Sequence, residues 1–128
     1  MTKTTHIDLG IGFVSIFENY LIMEINQGET VTVEDNQKLI KLTETFYSDQ
    51  EFVYITNRVN SYAVNPAVYF ETKKIKNLIG FAVVSEKEID MSNALIEKLF
   101  FDKPFEMFKE LDEAISWANT LCSKSKKI

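Results

Sequence analysis

Two short runs, "FVYIT" (Phe52 to Thr56) and "LIGFAVVS" (Leu78 to Ser85), are apolar almost without interruption and rich in β-branched and aromatic residues. A strand with one wet face alternates apolar and polar residues. A strand that does not alternate must be covered on both faces. Between the two runs lies "NPAVYF", where Asn65 can accept from free amide hydrogens at a helix N-cap and Pro66 suits the first helical position. Strand, helix and strand in that order, with both strands buried on two sides, imply a sheet with helices packed on its faces.

The flanking sequence extends the pattern. "GFVSIFENYLIMEIN" reads as a hairpin turning at Glu18-Asn19. In "TVEDNQKLIKLTETFY", Thr32 is a candidate N-cap, Glu34 and Asp35 lie in the first turn, and Leu39, Leu42 and Phe46 mark an apolar stripe. Those signals predict an amphipathic helix over 33–47. The Asn65-Pro66 helix is expected over 66–76. Ser85 and Glu88 have capping-box spacing ahead of a helix carrying Ile89, Ile96, Leu99 and Phe100. "PFEMF" suits a short edge strand, and Leu111, Ile115, Ala118 and Leu121 give a last helix its apolar face. The expected order is ββαβαβαβα, a mixed sheet covered by about four helices. One domain spans 1–128, with frayed ends at about 1–5 and 123–128.

Composition removes several function classes. A chain of 128 residues can bury roughly two-thirds of its unfolded surface, so a core forms without a disulfide or metal. A net charge of −5 argues against a nucleic-acid partner, which needs a basic face. The single cysteine, Cys122, leaves no internal disulfide and suits a reducing cytoplasm. No secretory-signal pattern opens the chain, and its longest apolar run, "LIGFAVV", is too short to cross a bilayer. The expected location is cytoplasmic, without membrane insertion.

Catalytic chemistry finds little support. His6 and Cys122 are the only histidine and cysteine, and they read as a surface residue and a packed thiol. No carboxylate, histidine or cysteine spacing suggests a metal. Glu86, Glu88 and Asp90 read as an acidic first turn. "GIG" at Gly10 to Gly12 precedes a strand, whereas a dinucleotide fingerprint follows one. Leu95, Leu99 and Phe100 read as core, and Lys73, Lys74 and Lys76 as a solvated helix end. The expectation is a protein without catalytic residues, metal or cofactor.

The element order, the "NRVNSYAVNP" loop, the "LIGFAVVS" strand and the closing "KPFEMFKELDEAISWA" with Ala114 and Trp117 resemble the SpoIIAA-like proteins of the STAS superfamily. The resemblance covers nearly the whole chain. It implies a STAS-like α/β fold and a regulatory or protein-interaction role in a bacterial cytoplasm. The superfamily's anti-sigma-factor antagonists end the equivalent strand with an Asp-Ser-Ser-Gly turn whose serine is phosphorylated. Here the turn is "TNRVNSYAVNP", with no Asp-Ser pair and no glycine; the nearest serine, Ser61, lies four residues before the N-cap.

That loop also holds Arg58, the chain's sole arginine beside thirteen lysines. In open α/β sheets ligands bind beyond the carboxyl ends of strands, and this loop leaves such an end. Arg58 offers a bidentate fork for carboxylate or phosphate. Asn57, Asn60, Ser61, Tyr62 and Asn65 supply further donors and acceptors. Three functional readings follow: a docking surface for a protein partner, a site for an anionic metabolite, nucleotide or lipid over Asn57 to Pro66, or a homodimeric scaffold. The structural alternative pairs Arg58 with an acid such as Asp49 or Glu51, or has it brace loop carbonyls, while the asparagines close turns on their own backbone.

Overall fold

The fold is taken from a computed structural model, which describes residues 5–87 and 101–126 together with Leu95, Lys98 and Leu99. Six strands form the main sheet: β1 (Thr5–Asp8), β2 (Gly12–Ile16), β3 (Tyr20–Ile25), β5 (Phe52–Asn57), β7 (Leu78–Val84) and β8 (Phe105–Phe108), in that spatial order. Two two-residue strands, β4 (Thr30–Val31) and β6 (Ala63–Val64), pair in parallel as a separate small sheet. The described helices are α1 (Val33–Phe46), α2 (Ala67–Thr72) and α3 (Leu111–Lys126). β1, β2 and β3 are antiparallel neighbours, whereas β3, β5, β7 and β8 run parallel. The mixed α/β sheet is thus present, but its element order is richer than ββαβαβαβα.

Side-chain alternation divides the core into two layers. Leu21, Met23 and Ile25 of β3 share one face with Phe52 of β5 and Phe81 and Val83 of β7, packed against Leu39 of α1 and Val68 and Tyr69 of α2. The opposite face carries Ile22, Val53, Ile55, Ala82 and Val84 beneath Ala114, Ala118 and Cys122 of α3. This two-sided cover explains why β5 and β7 read as unbroken apolar runs. α3 comes close because Gly80 has no side chain: a Cβ there would lie 2.8 Å from Leu121 Cδ1 and 3.1 Å from Trp117 Cη2. Phe52 pairs with Leu78 but Val53 with Gly80, so an irregularity in the ladder turns Gly80 toward α3.

α1 begins with a complete capping box: Asp35 N–H donates to Thr32 Oγ1 and Thr32 N–H donates to Asp35 Oδ2. Leu39 and Leu42 of the expected stripe do pack on the core, but Phe46 does not. Asn36, Leu39, Thr43 and then Tyr47 point inward, whereas Phe46 is exposed. The polar members pass unnoticed in a count of apolar spacing, yet both are satisfied. Asn36 Nδ2 donates to Thr72 Oγ1 at 3.0 Å, and Thr43 Oγ1 donates to Ile40 O.

Other expectations shift at element ends. α2 stops at Thr72 rather than 76. Ile75 N–H still returns to Thr72 O, but Ile75 O accepts from Lys103 Nζ at 2.6 Å, and Leu78 already lies in the sheet. At its start Ala67 N–H donates to Asn65 Oδ1 at 3.0 Å, so Asn65 performs the expected capping with Pro66 in helical conformation. Thr5 belongs to β1, and α3 continues to Lys126, so neither 5 nor 123–126 is frayed. Ser85 Oγ accepts from Lys87 N–H at 3.1 Å, but Glu88 of the expected capping box and the helix residues Ile89, Ile96 and Phe100 lie outside the described residues. Leu95 and Leu99, expected in the core, are 57% and 83% exposed.

Candidate functional site

The chain leaves β5 at Asn57, whose register partner on β7 is Val84, and Arg58 N–H then donates to Val84 O at 2.8 Å. This last hydrogen bond fixes the arginine backbone at the carboxyl end of the parallel strands. Its side chain is half-buried, with Nε inside the protein and the guanidinium carbon 5.3 Å from the Tyr62 ring centroid. Tyr62 is itself held, because its hydroxyl and Thr56 Oγ1 are 2.8 Å apart. A cation over a ring whose far end is anchored in a strand is a positioned charge. Asp49 and Glu51 precede β5, whereas Arg58 follows it. Six strand residues at about 3.3 Å each separate the groups by roughly 20 Å, which rules out these two acids but not Asp35, which lines the same cavity as Arg58.

The rest of the loop is tied inward. Asn60 Nδ2 donates to Ile25 O at 3.0 Å, while Ser61 N–H donates to Gln27 Oε1 and Ser61 O accepts from Gly28 N–H, both at 2.8 Å. Ser61 Oγ accepts from Lys87 Nζ at 3.3 Å. Ala63 and Asn65 N–H groups donate to Glu29 and Val31 carbonyls, forming the small β4–β6 sheet. Of the six residues singled out in the sequence, Asn60, Ser61 and Asn65 therefore act largely as braces. Asn57 lines an open cleft, Tyr62 a cavity, and Arg58 both.

Arg58 borders two such spaces. One is a cavity of about 40 Å³ between the sheet and the α1–α2 layer. Its walls include Met23, Ile25, Tyr54 and Phe81 from the sheet, Leu39 from α1, and Val68 and Tyr69 from α2. Its polar lining consists of Asp35, Asn36, Thr56, Arg58, Tyr62 and Thr72, with Asn36 and Thr72 bonded to each other. The other is an open cleft of about 400 Å³ beyond β5 and β7, lined by Asn57, Arg58, Val59, Ser85, Lys87, Lys109 and Leu111 among others. The strand ends at Asn57, one residue past the expected Thr56, with Arg58 directly after it. Sequence reasoning missed Asp35, Asn36, Tyr69 and Thr72, which reach the cavity from helices distant in sequence and carry no local signal for it.

The remaining chemistry is sparse. His6 Nδ1 lies 2.9 Å from Ser15 Oγ across β1 and β2, a contact no spacing rule anticipated. His6 is exposed on that sheet surface, and neither residue lines a described pocket. Among the described residues, no group of three or more His, Cys, Asp or Glu is placed to hold a metal. No helix among them is long and apolar enough to cross a membrane.

No family model and no curated protein matches this sequence. A solved structure does: an uncharacterized protein of the DUF3478 family with a SpoIIAA-like fold, from Shewanella loihica PV-4. The two superpose with a TM-score of 0.57 over 94% of each chain, at 16% sequence identity. The chain has a SpoIIAA-like fold. Within that fold, the loop bearing Arg58 is the one that leaves the central strand β5, between the crossover helices α1 and α2.

Proposed function

We propose that this SpoIIAA-like chain is a non-enzymatic binding domain of a bacterial cytoplasm. Its ligand is a small amphiphilic anion, with the apolar portion in the α1–α2 cavity and the carboxylate or phosphate on Arg58. The observation that carries the reading is the position of Arg58, which lines both the apolar cavity and the open cleft. Small-molecule sites characteristically combine apolar walls with a few convergent polar groups. A guanidinium supplies the two-pronged geometry that an oxyanion needs.

Size restricts the ligand. At 10–15 Å³ per water, about 40 Å³ holds roughly three water-sized units, which suits a short alkyl chain. Titration calorimetry with straight-chain carboxylates of increasing length should show affinity rising about fourfold per buried methylene and then levelling once the cavity is full. Arg58→Ala should weaken carboxylate binding by about tenfold or more while leaving alcohols of the same length unchanged. No saturable binding across the series, or an Arg58→Ala variant with undiminished carboxylate affinity, removes this reading.

One observation favours a second reading, a protein partner docking on the loop. Val59, beside Arg58, is 56% exposed. Under that reading the charge-neutral Val59→Ser weakens binding to the partner, whereas under the first it leaves carboxylate affinity unchanged.

A further inference from the structure

Among the described residues, β8 is the parallel strand at the outer edge of the sheet. Phe81 and Ser85 N–H groups donate to the carbonyls of Pro104 and Phe108. Alternate residues of a strand direct their backbone groups to opposite sides. Phe105 and Met107 therefore present theirs on the side away from β7, where no strand pairs with them among the described residues. Near the end of this edge lies a shallow, widely open groove between Phe108 of β8 and the outer side of α3. Phe108 and Trp117 form its aromatic floor, with ring centroids 5.7 Å apart. Asp112 and Glu113 stand exposed along it. Glu106 is exposed on the same sheet face as Phe108, two residues earlier on β8.

We infer that β8 and this groove dock an extended peptide segment of a partner protein carrying basic side chains at alternate positions. An added strand pairs with the outward N–H and C=O groups of Phe105 and Met107. Every second side chain then falls over the α3 side of the sheet, into the groove. Charge selects the occupant. A carboxylate-rimmed aromatic floor attracts arginine, whose guanidinium stacks on the rings and pairs with Asp112, Glu113 or Glu106, and it repels an acidic segment. This surface lies on the opposite face of the sheet from the α1–α2 cavity, so its test is independent of Arg58.

Trp117 is the only tryptophan, so intrinsic fluorescence reports on the groove directly. The probe is an end-blocked pentapeptide alternating valine and arginine, carrying a dye so that anisotropy gives a second readout. We expect saturable binding by both signals, weakened about fivefold or more in the double variant Asp112→Asn, Glu113→Gln and also in Glu106→Lys. Met107→Pro removes an outward N–H at an edge position that tolerates proline, and should weaken binding about tenfold. Glu106→Lys keeps the charge argument testable if the proline variant does not fold. Absence of saturable binding, equal binding of the glutamate counterpart peptide, or undiminished affinity in the charge variants overturns the proposal.

Discussion

Gly12→Ala should destabilise the protein by about 3 kcal/mol or more, and the loss will appear as a large fall in the urea midpoint. Gly12 opens β2 opposite Ile25 of β3. A Cβ at this position would overlap the Glu24 carbonyl oxygen and sit 2.8 Å from Ile25 Cα. Both obstacles are main-chain atoms, so no rotamer change relieves them. The hairpin would have to part at the end where Asn26 N–H donates to Ile11 O. Ile11 and Ile25 also wall the cavity, so a partly folded variant should lose carboxylate binding along with stability. A variant unfolding at the wild-type midpoint would show that the two strands are not held at this distance.

Tyr47→Ala should cost about 3–5 kcal/mol, because it empties a large fully buried site. The ring stacks on Phe52 at 4.3 Å between centroids. The hydroxyl lies 2.7 Å from the carbonyls of both Phe17 and Tyr20, tying the end of α1 to the β2–β3 turn. Tyr47→Phe keeps the ring and separates the contributions. About 1–3 kcal/mol should go with the hydroxyl alone.

The same residue sets an alkaline limit. Burial is the main cause that pushes the Tyr47 hydroxyl pKa well above its usual value. Below about pH 10 the phenol is neutral in both folded and unfolded chains, and its contribution is fully present. As pH rises further, the unfolded chain ionises first. Stability is then lost at up to about 1.4 kcal/mol per pH unit until the folded pKa is passed. Tyr20 is also raised by burial and adds its own slope. Urea unfolding between pH 9 and 11 should therefore show a shallower decline in Tyr47→Phe than in the wild type, and parallel curves would contradict this assignment.

The sequence made the sheet legible where one residue type answers one local demand. Thr32 and Asp35 cap α1, Asn65 caps Ala67, and the unbroken apolar runs of β5 and β7 report two covered faces. What was not legible depended on distant partners. β4 and β6 have two residues each and exist only because each supplies the other's hydrogen bonds. β1, "THID", is a four-residue strand whose only partner among the described residues is β2. Asn36 and Thr43 look like interruptions of an amphipathic stripe until Thr72 and the Ile40 carbonyl are in place. The site followed the same rule. Arg58 could be located at a strand end, but the ring it covers and the cavity it borders required Tyr62 to fold back onto Thr56.

The small β4–β6 sheet has a kinetic meaning. It joins residues more than thirty positions apart through two register pairs, Thr30 with Ala63 and Val31 with Val64. Closing so long a loop for so few bonds gains little until β3, α1 and β5 are already assembled. The segment that carries Arg58 therefore completes its docking late in folding and is among the first to detach in a local opening. A ligand that bridges Arg58 and the cavity wall would act as a latch on this closure, slowing amide exchange at Ala63 and Asn65 while leaving the central strands untouched.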